Sequence, residues 1–264
     1  MMRLPFLPPL NRPIRDWSGQ TIWIIGASSG IGAALAQALL QRNAKVILSA
    51  RRVDRLNAIA GTNPNAHVLS FDATNQGEWN NASADLLARF QYIDLVIFCA
   101  AKYQPERSWD VDANDAATTI KINLESVYQG LQSVLPPMLR RGSGGIAILA
   151  SVAGYVGLPN ASVYGPSKAA LINLSELLYS DLHKKNINVY LVNPGFVQTE
   201  LTSKNDFDMP ALQTPEQAAQ AILEGIANGD FEIHFPKRFT LGLKLFQILP
   251  YRWRFALIRR FVLV

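Results

Sequence analysis

Short runs of apolar and β-branched residues alternate along this chain with longer stretches patterned as helices, and that alternation restricts the fold more than any other feature. The strand-like runs are 21–25, 45–50, 67–71, 95–99, 145–150, 188–192 and 231–235. Helical patterns occupy 31–42, 80–90, 113–135, 161–185 and 215–228. Runs that are apolar throughout bury both faces, which is the condition of a strand inside a parallel sheet. Strict alternation of strand and helix then implies right-handed crossovers and an α/β, doubly wound parallel sheet of about seven strands with helices on both faces. No internal repeat or low-complexity linker divides it, so residues 18–236 are expected to form a single domain.

Composition narrows the function classes. Cys99 is the only cysteine, so an intrachain disulfide or a cysteine metal cluster is excluded. It lies in an apolar run, where a buried inert thiol is expected. His67, His183 and His234 show no ligand spacing, and no metal is expected. The formal charge of +5 comes from scattered basic pairs and a basic tail. Without a continuous basic stripe on a recognisable motif, nucleic acid is not expected, and acidic ligands or a membrane surface explain the excess better. Pro5, Pro8, Pro9 and Pro13 interrupt any secretory apolar helix, and no apolar run is long enough to span a bilayer. Residues 1–17 read as an extended strap over the body. A cytoplasmic protein is expected, with a peripheral position on the inner face of a membrane left open.

Open sheets of this kind bind ligands beyond the carboxyl ends of their strands. The first strand runs into Gly26-Ala27-Ser28-Ser29-Gly30-Ile31-Gly32. Glycines there allow a tight turn and a close backbone approach to a pyrophosphate, which meets free N–H groups at the helix N-terminus. Gly26, Ser28, Ser29, Gly30, Ile31 and Gly32 are therefore candidate dinucleotide contacts. The same residues satisfy G-x-S-x-G, the nucleophile elbow of hydrolases. A serine hydrolase using Ser28 is the alternative, although the motif follows the first strand and no histidine has a suggestive context. A tight turn with no ligand is the blander reading of the loop alone.

The second strand ends in Arg51-Arg52, where an NAD enzyme commonly places an acid for the ribose 2′-hydroxyl. A guanidinium matches a phosphate in charge and fork geometry. This points to NADP(H), while Asp54 nearby keeps NAD(H) open.

Tyr164 and Lys168 stand four apart on a helical segment and so share a face. An ammonium about 5 Å from a phenol, at an effective dielectric of about 20, favours the phenolate by roughly 3 kcal/mol, or about 2 pKa units. Ser151, at the end of the fifth strand, is placed to hold a substrate carbonyl. The pair alone is a weak signal; with the glycine loop and Ser151 it becomes specific.

Over residues 18–236 the sequence resembles the short-chain dehydrogenase/reductase family, whose fold is Rossmann-like. Gly26, Gly30, Ile31 and Gly32 match its cofactor loop, and Asp72 its adenine-contacting acid. Asn123, Ser151, Tyr164 and Lys168 match its catalytic tetrad. Asn193-Pro194-Gly195 and Val197-Gln198-Thr199 match its nicotinamide segment, and Ala100 falls after the fourth strand, at the cofactor. The resemblance implies hydride transfer between a nicotinamide and a carbonyl or alcohol. Tyr164 would move the hydroxyl proton, Ser151 polarise the oxygen, Lys168 hold the ribose and tune Tyr164, and Asn123 hold a relay water. A homodimer or homotetramer is implied, through the long helices around 113–135 and 161–185. A dinucleotide sensor without catalysis uses the same fold and is the remaining alternative.

Two departures from the family pattern occur together. Ile25 stands where a Thr is usual, and Phe98-Cys99-Ala100-Ala101 where Asn-Asn-Ala-Gly is usual, which reads as one apolar repacking. Singly, Asp72 can be a helix cap, Asn123 a polar residue in a helix and Thr199 a turn residue. Trp79 and Trp109 read as packing or cleft-rim residues. The loop before Pro215, with Asn205-Asp-Phe-Asp-Met209, is expected in a substrate lid. The tail, 237–264, is an apolar and basic helical extension whose segments 239–249 and 251–264 bear apolar residues at helical spacing. One reading is an interfacial pair on an anionic membrane or over a hydrophobic substrate mouth; the other is packing against the body or a second subunit.

Overall fold

The computed structural model describes residues 8–261. Its sheet contains β1 (Thr21–Ile25), β2 (Lys45–Ser49), β3 (Ala66–Val68), β4 (Leu95–Phe98), β5 (Gly144–Leu149), β6 (Ile187–Pro194) and β7 (Glu232–Phe235). The seven strands are parallel in the order β3-β2-β1-β4-β5-β6-β7. The order reverses between β1 and β4, where Ile25 lies level with Ser49 on one side and Phe98 on the other.

Alternate residues of the central strands feed two separate cores, as a period of two requires. Ile22, Ile24, Leu95, Ile97 and Leu149 face one, closed by Leu35 and Leu39 of α1 (Gly30–Leu40), Leu56 of α2 (Val53–Ala60) and Ile222 of α7 (Pro215–Asn228). Trp23, Ile25, Val96, Phe98 and Ile148 face the other. Trp79 and Leu86 of α3 (Gln76–Phe90), Leu131 of α5 (Ser126–Arg141), and Leu171 and Leu174 of α6 (Tyr164–Leu182) close that side. Two helices follow β7: α8 (Lys237–Ile248) and α9 (Tyr251–Phe261).

Several boundaries differ from the sequence expectation for identifiable reasons. Helix α2 was not expected; one buried residue, Leu56, holds an otherwise solvent-facing turn, too little pattern to read. Helix α3 starts at Gln76, not at 80, because the Asn75 side chain accepts from the N–H groups of Gly77 and Glu78. Strand β3 is shorter than 67–71, although Phe71 beyond it remains buried.

The helix expected at 113–135 is three pieces: α4 (Ala113–Ile120), a π-helical turn (Lys121–Glu125) and α5. Helix α5 continues through Pro136 and Pro137 to Arg141, with Val134 and Met138 buried on either side of the prolines. Residues 8–17 run over β6 and α7. Buried Asn11 exchanges hydrogen bonds with the Val189 backbone at 2.8 and 3.0 Å, and Trp17 is buried in the first core. Residues 1–7 of the expected strap and 262–264 of the expected tail lie outside the described residues.

Candidate active site

At the carboxyl ends of the strands, across the β1–β4 reversal, lies a cavity of about 480 Å³. Gly26 at its floor has φ +92°, and a Cβ there would stand 2.6 Å from the Ala100 nitrogen. A Cβ on Gly32 would stand 2.3 Å from the Gly26 carbonyl oxygen. These glycines let the segment after β4 and the first turn of α1 close down on the end of β1. The N-cap of α1, Ser29, makes no capping bond with its side chain, so the first-turn N–H groups are left for another acceptor. The Ile25 carbonyl accepts from the Cys99 N–H at 2.8 Å, and Ile25 shares an apolar cluster with Ala100. The paired departures at 25 and 98–101 therefore do meet in space.

The Arg52 guanidinium donates to the Ser28 hydroxyl at 3.0 Å, to the Ser29 hydroxyl at 2.9 Å and to Glu200 at 3.0 Å. Arg55 also pairs with Glu200, and hydrogen bonds from Arg55 and then Arg52 hold that carboxylate below its usual range. Arg51 lines the same end, exposed. Asp72 accepts from the Thr74 N–H and hydroxyl, both at 2.9 Å. Burial raises its pKa, but these bonds, with Arg51 and Lys121 nearby, bring the net value below normal. It is not the helix cap; Asn75 is.

Ser151, Tyr164 and Lys168 also line the cavity wall, as do Pro194, Gly195, Val197 and Thr199. Lys168 is almost fully buried and donates to the Leu149 carbonyl at 2.8 Å, with its ammonium 5.5 Å from the centre of the Tyr164 ring. The expected depression of the Tyr164 pKa is not found. Burial pushes it up to about 12, against a smaller opposing hydrogen bond with Ser151. The same desolvation lowers Lys168 to about 8. Removal from water is the largest cause for both groups, so both are driven towards neutrality.

Asn123 is the one member of the expected tetrad that does not line the cavity. Fully buried in the π-helical turn, it accepts from the Lys102 N–H at 2.7 Å and donates to the Lys102 carbonyl and the Ser167 hydroxyl, both at 3.0 Å. It thereby ties the segment after β4 to the helix that carries Tyr164 and Lys168. π-Turns often mark functional positions. Cys99 is inert, with burial raising its thiol to about 12.

The sequence reading missed several neighbours. The Tyr103 ring packs edge-on against Tyr164 at 4.9 Å between centres, and its hydroxyl donates to Asn205 at 2.9 Å. Lys204 closes over it by donating to the Tyr103 carbonyl at 2.9 Å. A position just beyond β4 was the available signal for Tyr103; Glu200 had none. Of the expected lid, Asn205 reaches this group, and Phe207 packs on Phe196. Trp79 is fully buried and Trp109 exposed.

These elements and their order invite comparison with known proteins. The pattern of the short chain dehydrogenases matches residues 20–209. This chain belongs to the short-chain dehydrogenase family. An uncharacterized oxidoreductase of Staphylococcus haemolyticus is 31% identical over 210 residues, covering 79% of this chain and 91% of that protein. A short-chain dehydrogenase of Burkholderia cenocepacia, solved in complex with NADP, superposes with TM-score 0.81 at 22% identity over 92% of this chain and 98% of that one. A relative of Burkholderia phymatum, solved with NAD, gives TM-score 0.79 at 22% identity over 88% and 94%.

This short-chain dehydrogenase is an oxidoreductase, and the serine-hydrolase reading does not survive. The Ser28 hydroxyl is held by Arg52, and none of His67, His183 and His234 lines the cavity, so no base serves a hydrolytic serine. No helix among the described residues is long and apolar enough to cross a membrane.

Proposed function

We propose that this chain transfers a hydride between NADP(H) and a carbonyl or alcohol substrate, with Tyr164 as the general acid or base. The observation that carries the reading is the convergence of Ser151, Tyr164 and Lys168 at one end of a cavity whose other end is the uncapped α1 N-terminus beside Arg52. The residues fit a dinucleotide. Orphan N–H groups and a guanidinium suit phosphates, and the glycine cradle admits them without a clash. Gly26, Ser28, Ser29, Gly30, Ile31 and Gly32 would hold the pyrophosphate. Arg51 and Arg52 would meet the 2′-phosphate and Asp72 the adenine, while Ala100, Pro194, Gly195, Val197 and Thr199 would bound the nicotinamide end.

Bound nicotinamide supplies or accepts the hydride. Ser151 donates a hydrogen bond to the carbonyl oxygen and orients it. Tyr164, held as a neutral phenol at ordinary pH, gives its proton to that oxygen during reduction; in the reverse direction its phenolate, formed by loss of the proton to solvent, takes the alcohol proton. Lys168 keeps a positive charge under the phenol ring and steadies the phenolate as it forms. Asn123 acts by holding the Lys102 segment and Ser167 in place.

The aromatic surroundings of the lid, Phe196 against Phe207 and Tyr103 against Tyr164, favour an apolar ketone or aldehyde. The test is NADPH oxidation across ketones, aldehydes, steroids and quinones, with NADH in parallel. Turnover of some carbonyl, faster with NADPH, is expected; failure of the whole panel with either nucleotide would overturn the reading.

A further inference from the structure

The positive charge of this protein resides in its last 28 residues. Seven of the 25 Lys and Arg residues lie in 237–264, together with none of the 20 Asp and Glu. The remainder carries 18 basic against 20 acidic residues and is slightly negative. Helix α8 uses one side to dock: Thr240 and Leu243 are buried, Phe239 packs on Phe196, and Lys244 pairs with Glu232. Its opposite side presents Leu241, Leu245 and Ile248 in one stripe, the last 78% exposed. Helix α9 exposes Tyr251 and Phe255, stacked on one face, and Trp253 on another; they are 68%, 51% and 69% exposed. Lys237, Arg238, Arg252 and Arg259 stand exposed among them.

We propose that α8 and α9 form a docking surface for an anionic lipid bilayer. Charge complementarity selects this occupant. Leu, Ile and Trp enter the headgroup boundary while the long basic side chains remain at the phosphates, as in interfacial helices. A second copy is disfavoured because a two-fold contact would set cation against cation with no acid on either side. The helices are too short to cross a bilayer, so they lie along it.

The surface adjoins the substrate end of the sheet. Helix α8 begins at the carboxyl end of β7, and a Cβ on Gly195 would stand 3.1 Å from the Phe239 ring. Leu243 packs with Val152, Tyr155 and Val156, just beyond Ser151. Docking therefore places the mouth of the site beside the lipid, where an apolar substrate arrives without crossing water. That consequence rests on the carbonyl reading; the docking itself does not.

The test is co-sedimentation of the full chain with vesicles of phosphatidylcholine alone and of phosphatidylcholine mixed with phosphatidylglycerol. Binding to the mixed vesicles, at least tenfold above the neutral ones and released by salt, is expected. The triple variant Leu245→Glu, Ile248→Glu, Trp253→Glu should lose binding while keeping its circular dichroism and its mass in solution. Arg252→Gln with Arg259→Gln, which leaves the packing intact, should weaken binding by about fivefold per charge. No binding to anionic vesicles at low salt would overturn the proposal. So would unchanged binding by both variants, or a triple variant that falls from dimer to monomer, which would assign the surface to a second copy.

Discussion

Arg52→Ala separates the two nicotinamide cofactors. Arg52 donates to Ser28 and Ser29 of the glycine loop and shares Glu200 with Arg55, all at the mouth of the cavity. A charged hydrogen bond to a phosphate is worth about 1.5–3 kcal/mol, or roughly 10- to 150-fold in affinity. The Arg52 side chain is 41% exposed and already shared with Glu200, so solvent and competition set the effect at the low end, about tenfold. The substitution also frees the two loop hydroxyls, but that disturbance acts on NADPH and NADH alike. The readout is therefore the ratio of their dissociation constants, measured by titration calorimetry on the folded variant. The ratio should move about tenfold against NADPH, and Glu200→Gln should move it the other way. A ratio unchanged within about twofold would refute the assignment of Arg52 to the 2′-phosphate.

Two further outcomes follow from buried groups. Asn123→Ala leaves the Lys102 backbone and the Ser167 hydroxyl without their partner. It should cost about 1–3 kcal/mol in urea unfolding, with a larger loss in kcat than in cofactor affinity; an unchanged midpoint would contradict the positioning role. Lys168 releases its proton near pH 8 when folded but near 10.5 when unfolded. At this site the unfolded chain binds more protons in that window, so the Lys168 contribution to stability should rise with pH across it, by up to roughly 3 kcal/mol. Lys168→Met should remove this rise, seen by comparing thermal unfolding of the two proteins; parallel pH curves would contradict it.

The sheet and most of the cavity wall were legible in the sequence because they rest on local pattern. Strands buried on both faces read as continuous apolar runs, and Gly26, Ser151, Tyr164 and Lys168 each follow a strand end in a fixed order. What escaped depends on distant packing. Glu200 and Arg52 lie 148 residues apart and meet only in the folded chain, and Tyr103 meets Tyr164 where Asn123 holds the neighbouring Lys102 backbone. The helix beyond Pro136 and Pro137 persists through buried Val134 and Met138, against the local preference of proline. The Tyr164 pKa runs against the sequence expectation because a nearby ammonium is visible in the spacing of residues 164 and 168, whereas burial, the larger effect, depends on the whole fold.

The central claim is that the Tyr164 hydroxyl moves the substrate proton. Tyr164→Phe keeps the ring that packs on Tyr103 and removes only that hydroxyl. Single-turnover NADPH oxidation with a carbonyl that the parent enzyme reduces should fall at least about a thousandfold, towards the limit of general acid catalysis, while NADPH binds with unchanged affinity. Turnover within about tenfold of the parent, with the cofactor still bound, would contradict the account.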